Sequence, residues 1–282
     1  MSFVTSKQVL LKAQEGGYAV GAFNVENMEM AQAVVEAAEE MRAPVILQTT
    51  PSTVKYAGVE LYFAIGKTLA EKADVPVVLH LDHGNSFELC VRALRAGYTS
   101  IMIDGSKLPL ADNIALTKRV VELCDPADVP VEGEIGRVGG KEDDTVCGDA
   151  GYTVPEEAVR FERETGLSSM AVGVGTAHGV YKKTPVLNTA LVGELKGRLT
   201  VPMVLHGASG LSDEAIRECI RRGICKVNFA TELRIAYSGG VKAVLGEKPD
   251  TFDPKAYGKA ARERVKELVE NRMRVCGCDG KA

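Results

Sequence analysis

The sequence lacks any apolar run close to the roughly 18 residues that a membrane-spanning helix requires. Its first 17 residues also lack the basic start and long apolar centre of a signal peptide. Positive charge is not in surplus, because 34 lysines and arginines face 38 acidic side chains. Without a general basic surface, binding to nucleic acid or to an anionic membrane is not expected. We therefore expect a cytoplasmic protein in which any recognition of phosphate is local.

The cysteines do not have the pattern of a disulfide framework. They number seven, which is odd, and they are scattered along the chain, so we expect reduced thiols. Only Cys276 and Cys278 lie close together, and a single intervening residue is too short a spacing for a typical pair of zinc-binding cysteines. We interpret both as ordinary thiols.

Short apolar runs recur along the chain, and four of them begin with proline, as in VPVVLHLDH and VPMVLHGAS. Proline is tolerated at the first position of a strand, and the apolar run that follows predicts a buried strand. Eight strands are predicted in this way, at 18–24, 43–50, 75–83, 100–104, 129–136, 170–175, 201–209 and 226–231.

Segments with helical periodicity separate the predicted strands, for example at 28–41, 86–97 and 212–223. The last two open with a serine N-cap and close on glycine. Eight alternating units predict an α/β fold, a closed (β/α)8 TIM barrel that occupies residues 1–282 as a single domain. A doubly wound open sheet is the alternative, although no GxGxxG motif follows the first strand. The stretch from 253 to 274 predicts one or two extra C-terminal helices.

The segment at 134–157 is too long and too rich in glycine to be an ordinary connection. A loop of this length in a compact domain is usually a functional lid or is disordered. Gly139 and Gly140 would act as its hinge. Glu142 lies just beyond them, where it is either an acid/base delivered by closure or a solvated charge.

Three of the four histidines follow predicted strands: His83 the third, His178 the sixth and His206 the seventh. On a barrel, reactive side chains gather at the C-terminal ends of the strands. Three neutral imidazoles with an open fourth position suit a catalytic Zn2+. Each histidine alone is compatible with an ordinary polar turn, but the three together favour a metal site. We interpret His80 as a buried, hydrogen-bonded histidine instead of a fourth ligand.

Carboxylates accompany the predicted metal site. Asp82 directly precedes His83 and suits a general acid or base, although it could instead orient a histidine. Asp104 and Glu134 lie at the ends of the fourth and fifth predicted strands, where they could orient histidines or serve as alternative metal ligands.

Glycine-rich turns follow the last three predicted strands, in GVGTAHG, HGASG and VNFAT. They offer backbone N–H groups and the hydroxyls of Ser209 and Thr231. Loops late in a barrel often bind phosphate together with a helix N-terminus, and the helix that opens at Ser212 fits this arrangement.

The motifs HLDHG, GTAHG, VLHGASG and KVNFATEL, in this order and spacing, resemble the class II, zinc-dependent ketose-bisphosphate aldolases. The resemblance runs from GAFNVEN to RVCGC and covers essentially the whole chain. It implies a homodimeric or homotetrameric (β/α)8 barrel. The implied activity is the reversible cleavage of a ketose 1,6-bisphosphate into dihydroxyacetone phosphate and glyceraldehyde 3-phosphate.

The resemblance also implies roles for matching residues. One Zn2+ per subunit would be bound by His83, His178 and His206, and Asp82 would exchange the proton at the C4 oxygen. Glu142 would be the mobile-loop acid/base, Asp104 and Glu134 would form a secondary metal position, and Na+ or K+ would lie near the phosphate. The implied substrate-binding residues are Asn24, Thr50, Gly179, Gly207, Ala208, Ser209, Asn228, Phe229, Ala230, Thr231 and Lys259.

Two positions bear on the substrate. Ala230 stands where fructose-specific members have an aspartate, which favours the tagatose-1,6-bisphosphate branch. Lys259 stands where that branch has an arginine thought to bind the distal phosphate, and lysine offers a point charge instead of a bidentate fork.

Other functions are compatible with the sequence. They are an aldolase for a phosphorylated deoxy-keto-gluconate, a metal-dependent hydrolase on the same barrel, and a non-catalytic accessory subunit. The three histidines argue against the accessory subunit, while a heteromeric accessory partner remains compatible with the tagatose branch.

Overall fold

The computed structural model describes residues 2–142, 145–147, 151–181 and 185–282. Eight parallel strands close a barrel in these residues, at the places that the apolar runs predict. The strands of the described chain are β1 (Val20–Asn24), β2 (Val45–Thr49), β3 (Val77–Gly84), β4 (Ser100–Ile103), β5 (Val131–Ile135), β6 (Gly139–Glu142), β7 (Thr145–Cys147), β8 (Ser169–Val172), β9 (Ala177–His178), β10 (Met203–Leu205) and β11 (Ile224–Phe229). Their order around the barrel is β1-β11-β10-β8-β5-β4-β3-β2. The TIM barrel is confirmed, and the alternative of an open sheet is wrong.

Helices surround the barrel and cover its strands. Those of the described chain are α1 (Ser6–Gly16), α2 (Met28–Met41), α3 (Pro51–Ala57), α4 (Val59–Lys72), α5 (Phe87–Ala96), α6 (Leu110–Cys124), α7 (Pro155–Thr165), α8 (Thr189–Lys196), α9 (Asp213–Arg222), α10 (Thr231–Glu247) and α11 (Pro254–Cys276), with a short 3-10 turn at Asp125–Ala127. Ser86 and Ser212 cap α5 and α9 as predicted, each accepting a bond from a backbone N–H three residues later. The predicted C-terminal extension is the single helix α11.

The predicted loop at 134–157 contains regular structure. β6 and β7 form an antiparallel hairpin, and β6 also pairs in parallel with β9. Gly140 lies beside His178 in this pairing and has a φ of +89°. A Cβ at Gly140 would lie 2.3 Å from the carbonyl oxygen of His178, so only glycine permits this approach. The hinge role of Gly139 and Gly140 stays a prediction.

The core consists of the barrel interior and the layer between strands and helices. Phe23 of β1 stacks on Phe229 of β11 with ring centroids 5.5 Å apart, which joins the first strand to the last. The cysteines whose side chains the structure describes are free and buried: Cys90, Cys124, Cys219, Cys225, Cys276 and Cys278. None of the helices in the described part of the chain has the length and apolar content of a membrane span.

Candidate active site

Three histidines converge at the C-terminal end of the barrel. His83 lies near the end of β3 with a φ of +49°, where the pairing of β3 with β4 shifts register between Leu81 and Gly84. His178 lies in β9, and His206 follows β10. The ring centroids of His83 lie 5.0 Å from those of His178 and 4.6 Å from those of His206. Residues that are 123 positions apart in the chain therefore share one site.

The three histidines fit a zinc ion by the chemistry and placement of their nitrogens. One ring nitrogen from each lies within 4.8 Å of the others, which is the spacing of ligands around a single ion. His206 is fully buried, and its Nδ1 has no hydrogen-bond partner, whereas its Nε2 lies 2.9 Å from Glu132 Oε1. A buried nitrogen without a partner is costly unless something binds it. Imidazole nitrogens are preferred ligands of Zn2+.

Two carboxylates adjoin this site and form, with His83, a second group able to hold a cation. Asp104 Oδ2 lies 3.1 Å from His83 Nδ1, and its Oδ1 accepts hydrogen bonds from Ser106. Burial raises the pKa of Asp104, but the contacts with His83 and Ser106 outweigh it and hold this pKa well below its usual range. Glu134 Oε2 is buried without a hydrogen-bond partner and lies 3.3 Å from His206 Nδ1.

Asp82 is surrounded by side-chain amides. Asn24 donates to its Oδ2 at 2.9 Å, and Gln48 donates to the same oxygen at 3.2 Å. Asn228 donates to Oδ1 at 3.2 Å, and His83 Nε2 lies 3.9 Å from that oxygen. These donors fix the orientation of a carboxylate that is only 1% exposed. Gln48 is not among the residues predicted from the sequence, although a glutamine inside the apolar run VILQT was a usable signal.

A cavity opens beside the histidines at the turns that were predicted to bind phosphate. Its lining residues are His178, Gly179, Gly207, Ser209, Asn228, Ala230, Thr231 and Arg234. Ser209 Oγ accepts a hydrogen bond from Ala230 N at 3.1 Å, which joins the turn after β10 to the one after β11. The structure thus brings together most of the predicted phosphate-binding residues.

Arg234 is the lining residue that the sequence analysis missed. It lies in the first turn of α10, and its Nε donates to Glu26 Oε1 at 2.7 Å. Glu26 Oε2 in turn accepts a bond from Thr53 Oγ1. The cavity therefore carries a guanidinium whose position is set by a carboxylate. Its place three residues after VNFAT was the available signal.

Tyr181 is a second missed residue and connects two parts of the site. Its hydroxyl accepts a hydrogen bond from Ala177 N and donates one to Gly207 O, both at 2.8 Å. The residues that precede His178 and follow His206 are thereby held together.

The remaining predicted site residues whose side chains the structure describes do not line the described cavity with them. Ala208 is fully buried, and the side chain of Phe229 lies in the core, which leaves its backbone for any substrate contact. Thr50 is buried and caps α3 with its hydroxyl. Lys259 is exposed on α11 and does not line the described cavity. The side chain of Glu142 lies outside the described residues.

The chain is similar to known proteins over nearly its whole length. The family model described as fructose-bisphosphate aldolase class II matches residues 4–281. The chain is 48% identical to the D-tagatose-1,6-bisphosphate aldolase subunit GatY of Klebsiella oxytoca over 282 residues, 99% of each chain. The crystal structure of the YdjI aldolase from Escherichia coli K12 shares 36% identity over 99% of both chains, with a TM-score of 0.89. A fructose-bisphosphate aldolase from Campylobacter jejuni, 23% identical, shares the fold with a TM-score of 0.82 over 100% of this chain and 97% of its own.

Proposed function

The chain belongs to the class II fructose-bisphosphate aldolase family, and from this membership we propose that it cleaves tagatose 1,6-bisphosphate or fructose 1,6-bisphosphate. As a class II ketose-bisphosphate aldolase it is a carbon–carbon lyase. The proposed products are dihydroxyacetone phosphate and glyceraldehyde 3-phosphate. One observation carries the proposal: three converging histidines, a buried aspartate and a cavity lined by the glycine-rich turns adjoin one another.

Tagatose 1,6-bisphosphate is the substrate we favour. The two sugars differ only in configuration at C4, so one side chain near that carbon can shift the preference. Ala230 is a small apolar residue in the cavity and supports this choice, as does the name of the GatY relative.

Zn2+ is the proposed metal, one per subunit, held by His83, His178 and His206. When bound, Zn2+ supplies Lewis-acid stabilisation for the negative charge that develops on the substrate oxygens during cleavage. Asp104 and Glu134 are proposed as a secondary metal position, because they approach the same histidines.

Asp82 is proposed to take the proton from the C4 hydroxyl as the bond between C3 and C4 breaks. The electron pair of that bond passes toward the C2 carbonyl, and C4 leaves as the aldehyde. The amides of Asn24, Gln48 and Asn228 hold the Asp82 carboxylate in one orientation, which a proton acceptor requires. Glu142 is proposed to deliver the proton to C3.

The phosphate next to the cleaved bond is proposed to occupy the described cavity. Backbone N–H groups at Gly179 and Gly207, together with the Ser209 hydroxyl, would bind its oxygens. Arg234 would add a positive charge, and Na+ or K+ would lie nearby. Lys259 is retained as the proposed contact of the distal phosphate.

The family and the buried thiols support proposals on the assembly and the cellular location of the protein. We propose a single-domain chain, a homodimer or homotetramer, that works in the cytoplasm. The free, buried cysteines suit a reducing compartment. The word "subunit" in the name of the GatY relative supports an accessory partner.

The test measures release of triose phosphate from each bisphosphate by purified protein as isolated, after chelation, and after Zn2+ is restored. We expect cleavage that chelation abolishes and zinc restores, with the higher kcat/KM on tagatose 1,6-bisphosphate. A higher kcat/KM on fructose 1,6-bisphosphate would change the proposed substrate to that epimer and leave the proposed reaction unchanged. Absence of cleavage of both sugars by zinc-loaded protein would overturn the substrate and favour the phosphorylated deoxy-keto-gluconate or an accessory role.

A further inference from the structure

A chain of six polar side chains runs through the interior of the barrel to the metal site. It begins at α1, crosses β4, β3, β11 and β5, and ends after β10. Its successive contacts are Ser6 Oγ to Ser100 Oγ at 2.7 Å, Ser100 Oγ to His80 Nδ1 at 2.7 Å, His80 Nε2 to Lys226 Nζ at 3.4 Å, Lys226 Nζ to Glu132 Oε2 at 2.8 Å, and Glu132 Oε1 to His206 Nε2 at 2.9 Å.

The centre of this chain is an ion pair without access to water. Lys226 is 0% exposed and Glu132 is 1% exposed. Desolvating two charges costs several kcal/mol, and their mutual attraction repays it only with good geometry. A well-packed apolar pair would often stabilise a barrel equally well. The pair therefore calls for an explanation beyond stability.

The charge on Lys226 sets the direction of the hydrogen bonds that His80 makes with Lys226 and Ser100. An ammonium group only donates, so His80 Nε2 must accept and His80 Nδ1–H must donate to Ser100. Burial is the main cause that lowers the pKa of His80, and Lys226 adds to it, which keeps this ring neutral. His80 is thus the buried, hydrogen-bonded histidine that the sequence predicted.

The charge on Lys226 also sets the direction of the hydrogen bond between Glu132 and His206. Beside Lys226, Glu132 is an anion that only accepts hydrogen bonds. Lys226 Nζ lies 2.8 Å from Glu132 Oε2, so the carboxylate is paired with a cation on the side away from His206. His206 must then donate from Nε2–H. Its Nδ1 is the nitrogen that remains for a metal: it is buried without a hydrogen-bond partner, and Glu134 Oε2, also buried without one, lies 3.3 Å away.

We propose that Lys226 and Glu132 are positioning residues that hold His206 in the orientation and tautomer that binds Zn2+ through Nδ1. This inference rests on the zinc site of the proposed function. Neither residue lines the described cavity, and each acts through His206. Carboxylates that orient metal-binding histidines typically contribute roughly 10- to 100-fold to metal affinity.

The test compares the wild type with the double variant Lys226→Met, Glu132→Gln, which removes both charges and leaves none unpaired. A matched control, Arg272→Met with Glu232→Gln, removes by the same kinds of substitution the ion pair of 2.7 Å between α11 and α10, together with the 2.6 Å contact of Arg272 with the half-exposed Asp213. Binding of Co2+ is measured by competition with a chromophoric chelator, and the visible spectrum of bound Co2+ reports its ligand geometry. Circular dichroism and thermal melting report folding.

We expect the Lys226→Met, Glu132→Gln variant to bind Co2+ roughly 10- to 100-fold more weakly than wild type, with an altered spectrum. The control variant melts at a lower temperature with unchanged affinity and spectrum. Wild-type affinity and spectrum in the first variant would overturn the proposal and leave a purely structural ion pair. If wild-type protein itself binds neither Co2+ nor Zn2+, the proposed zinc site fails first.

A measurement on the wild type decides the matter if the double variant does not fold. Protein labelled with 15N-histidine and loaded with 113Cd2+ is examined by NMR. The proposal expects metal coupling at His206 Nδ1 together with a retained proton on Nε2. Coupling at Nε2, or loss of its proton, would overturn it.

Discussion

The side-chain amide of Asn24 donates a hydrogen bond to Asp82 Oδ2 over 2.9 Å, so the first strand of the barrel orients the carboxylate at the end of the third. Asn24 resembles a substrate contact in the sequence, and in the structure it also holds the proposed proton acceptor. The two roles are compatible, because the Asn24 amide has a second N–H for another partner, while its oxygen accepts a hydrogen bond from Gln48 at 2.7 Å.

Replacing Asp82 with alanine removes the proposed proton acceptor without removing a proposed zinc ligand. General acid–base catalysis contributes typically 10²- to 10⁴-fold, so we expect kcat to fall by about that factor. Zinc content, measured by atomic emission, should stay at the wild-type level. Asp112→Ala, on the exposed face of α6, is the matched control and should leave kcat unchanged. Near wild-type kcat in Asp82→Ala would assign the proton transfer to another group.

Gly140→Ala should weaken metal binding through a backbone collision. The new Cβ would lie 2.3 Å from His178 O and 2.8 Å from His178 N, and the φ of +89° is itself unfavourable for alanine. We expect lower zinc affinity and lower activity at limiting zinc, measured by titration. Gly166→Ala is the control, since its φ is +70° and nothing lies within 4 Å of the added Cβ. Equal zinc affinities in the two variants would refute the link between this glycine and His178.

Arg234→Gln should weaken binding of the phosphorylated substrate. A hydrogen bond to a charged group contributes about 1.5–3 kcal/mol, so we expect KM to rise at least about tenfold with a smaller change in kcat. Inorganic phosphate should also become a weaker competitive inhibitor. Arg217→Gln, an exposed position on α9, provides the comparison. An unchanged inhibition constant for phosphate would exclude Arg234 from the phosphate site.

The buried thiols should make the fold sensitive to alkaline pH. Burial raises the pKa of Cys124 and of Cys219 to about 11, from 9.0 for an exposed thiol. Above pH 9 the unfolded chain releases these protons while the folded chain retains them, so stability falls as pH rises. The free energy of unfolding should fall by up to about 1.4 kcal/mol per pH unit for each such thiol.

Urea unfolding between pH 8 and 10.5 measures this slope at a fixed protein concentration. Cys219→Ala removes one of the thiols and should make the slope shallower. The same slope in wild type and variant would show that Cys219 does not contribute.

Much of the barrel could be predicted from local patterns. The proline-led apolar runs marked strands such as β3 and β10, and Ser86 and Ser212 marked helix starts, because these signals depend on near neighbours in the chain. The pairing of β6 with β7 was not predicted, since this glycine-rich segment carries no local strand signal and β6 also pairs with the distant β9.

The contacts around the candidate site were harder to predict from the sequence than the barrel strands. Glu132 and Lys226 are charged residues inside apolar strands, a visible signal, but their partnership depends on the distance between β5 and β11 across the barrel. Arg234 and Tyr181 were missed for a related reason. Each acts on residues that lie far away in sequence or on another turn.

The sequence by itself determined the alternation of strands and helices and placed three histidines and Asp82 at strand ends, because periodicity and strand polarity are properties of the local chain. Only the tertiary structure decided which atoms meet: the amides of Asn24, Gln48 and Asn228 on Asp82, and Lys226 and Glu132 behind His206. Those contacts join strands that closure and register of the barrel bring side by side or across its interior. No local pattern encodes them.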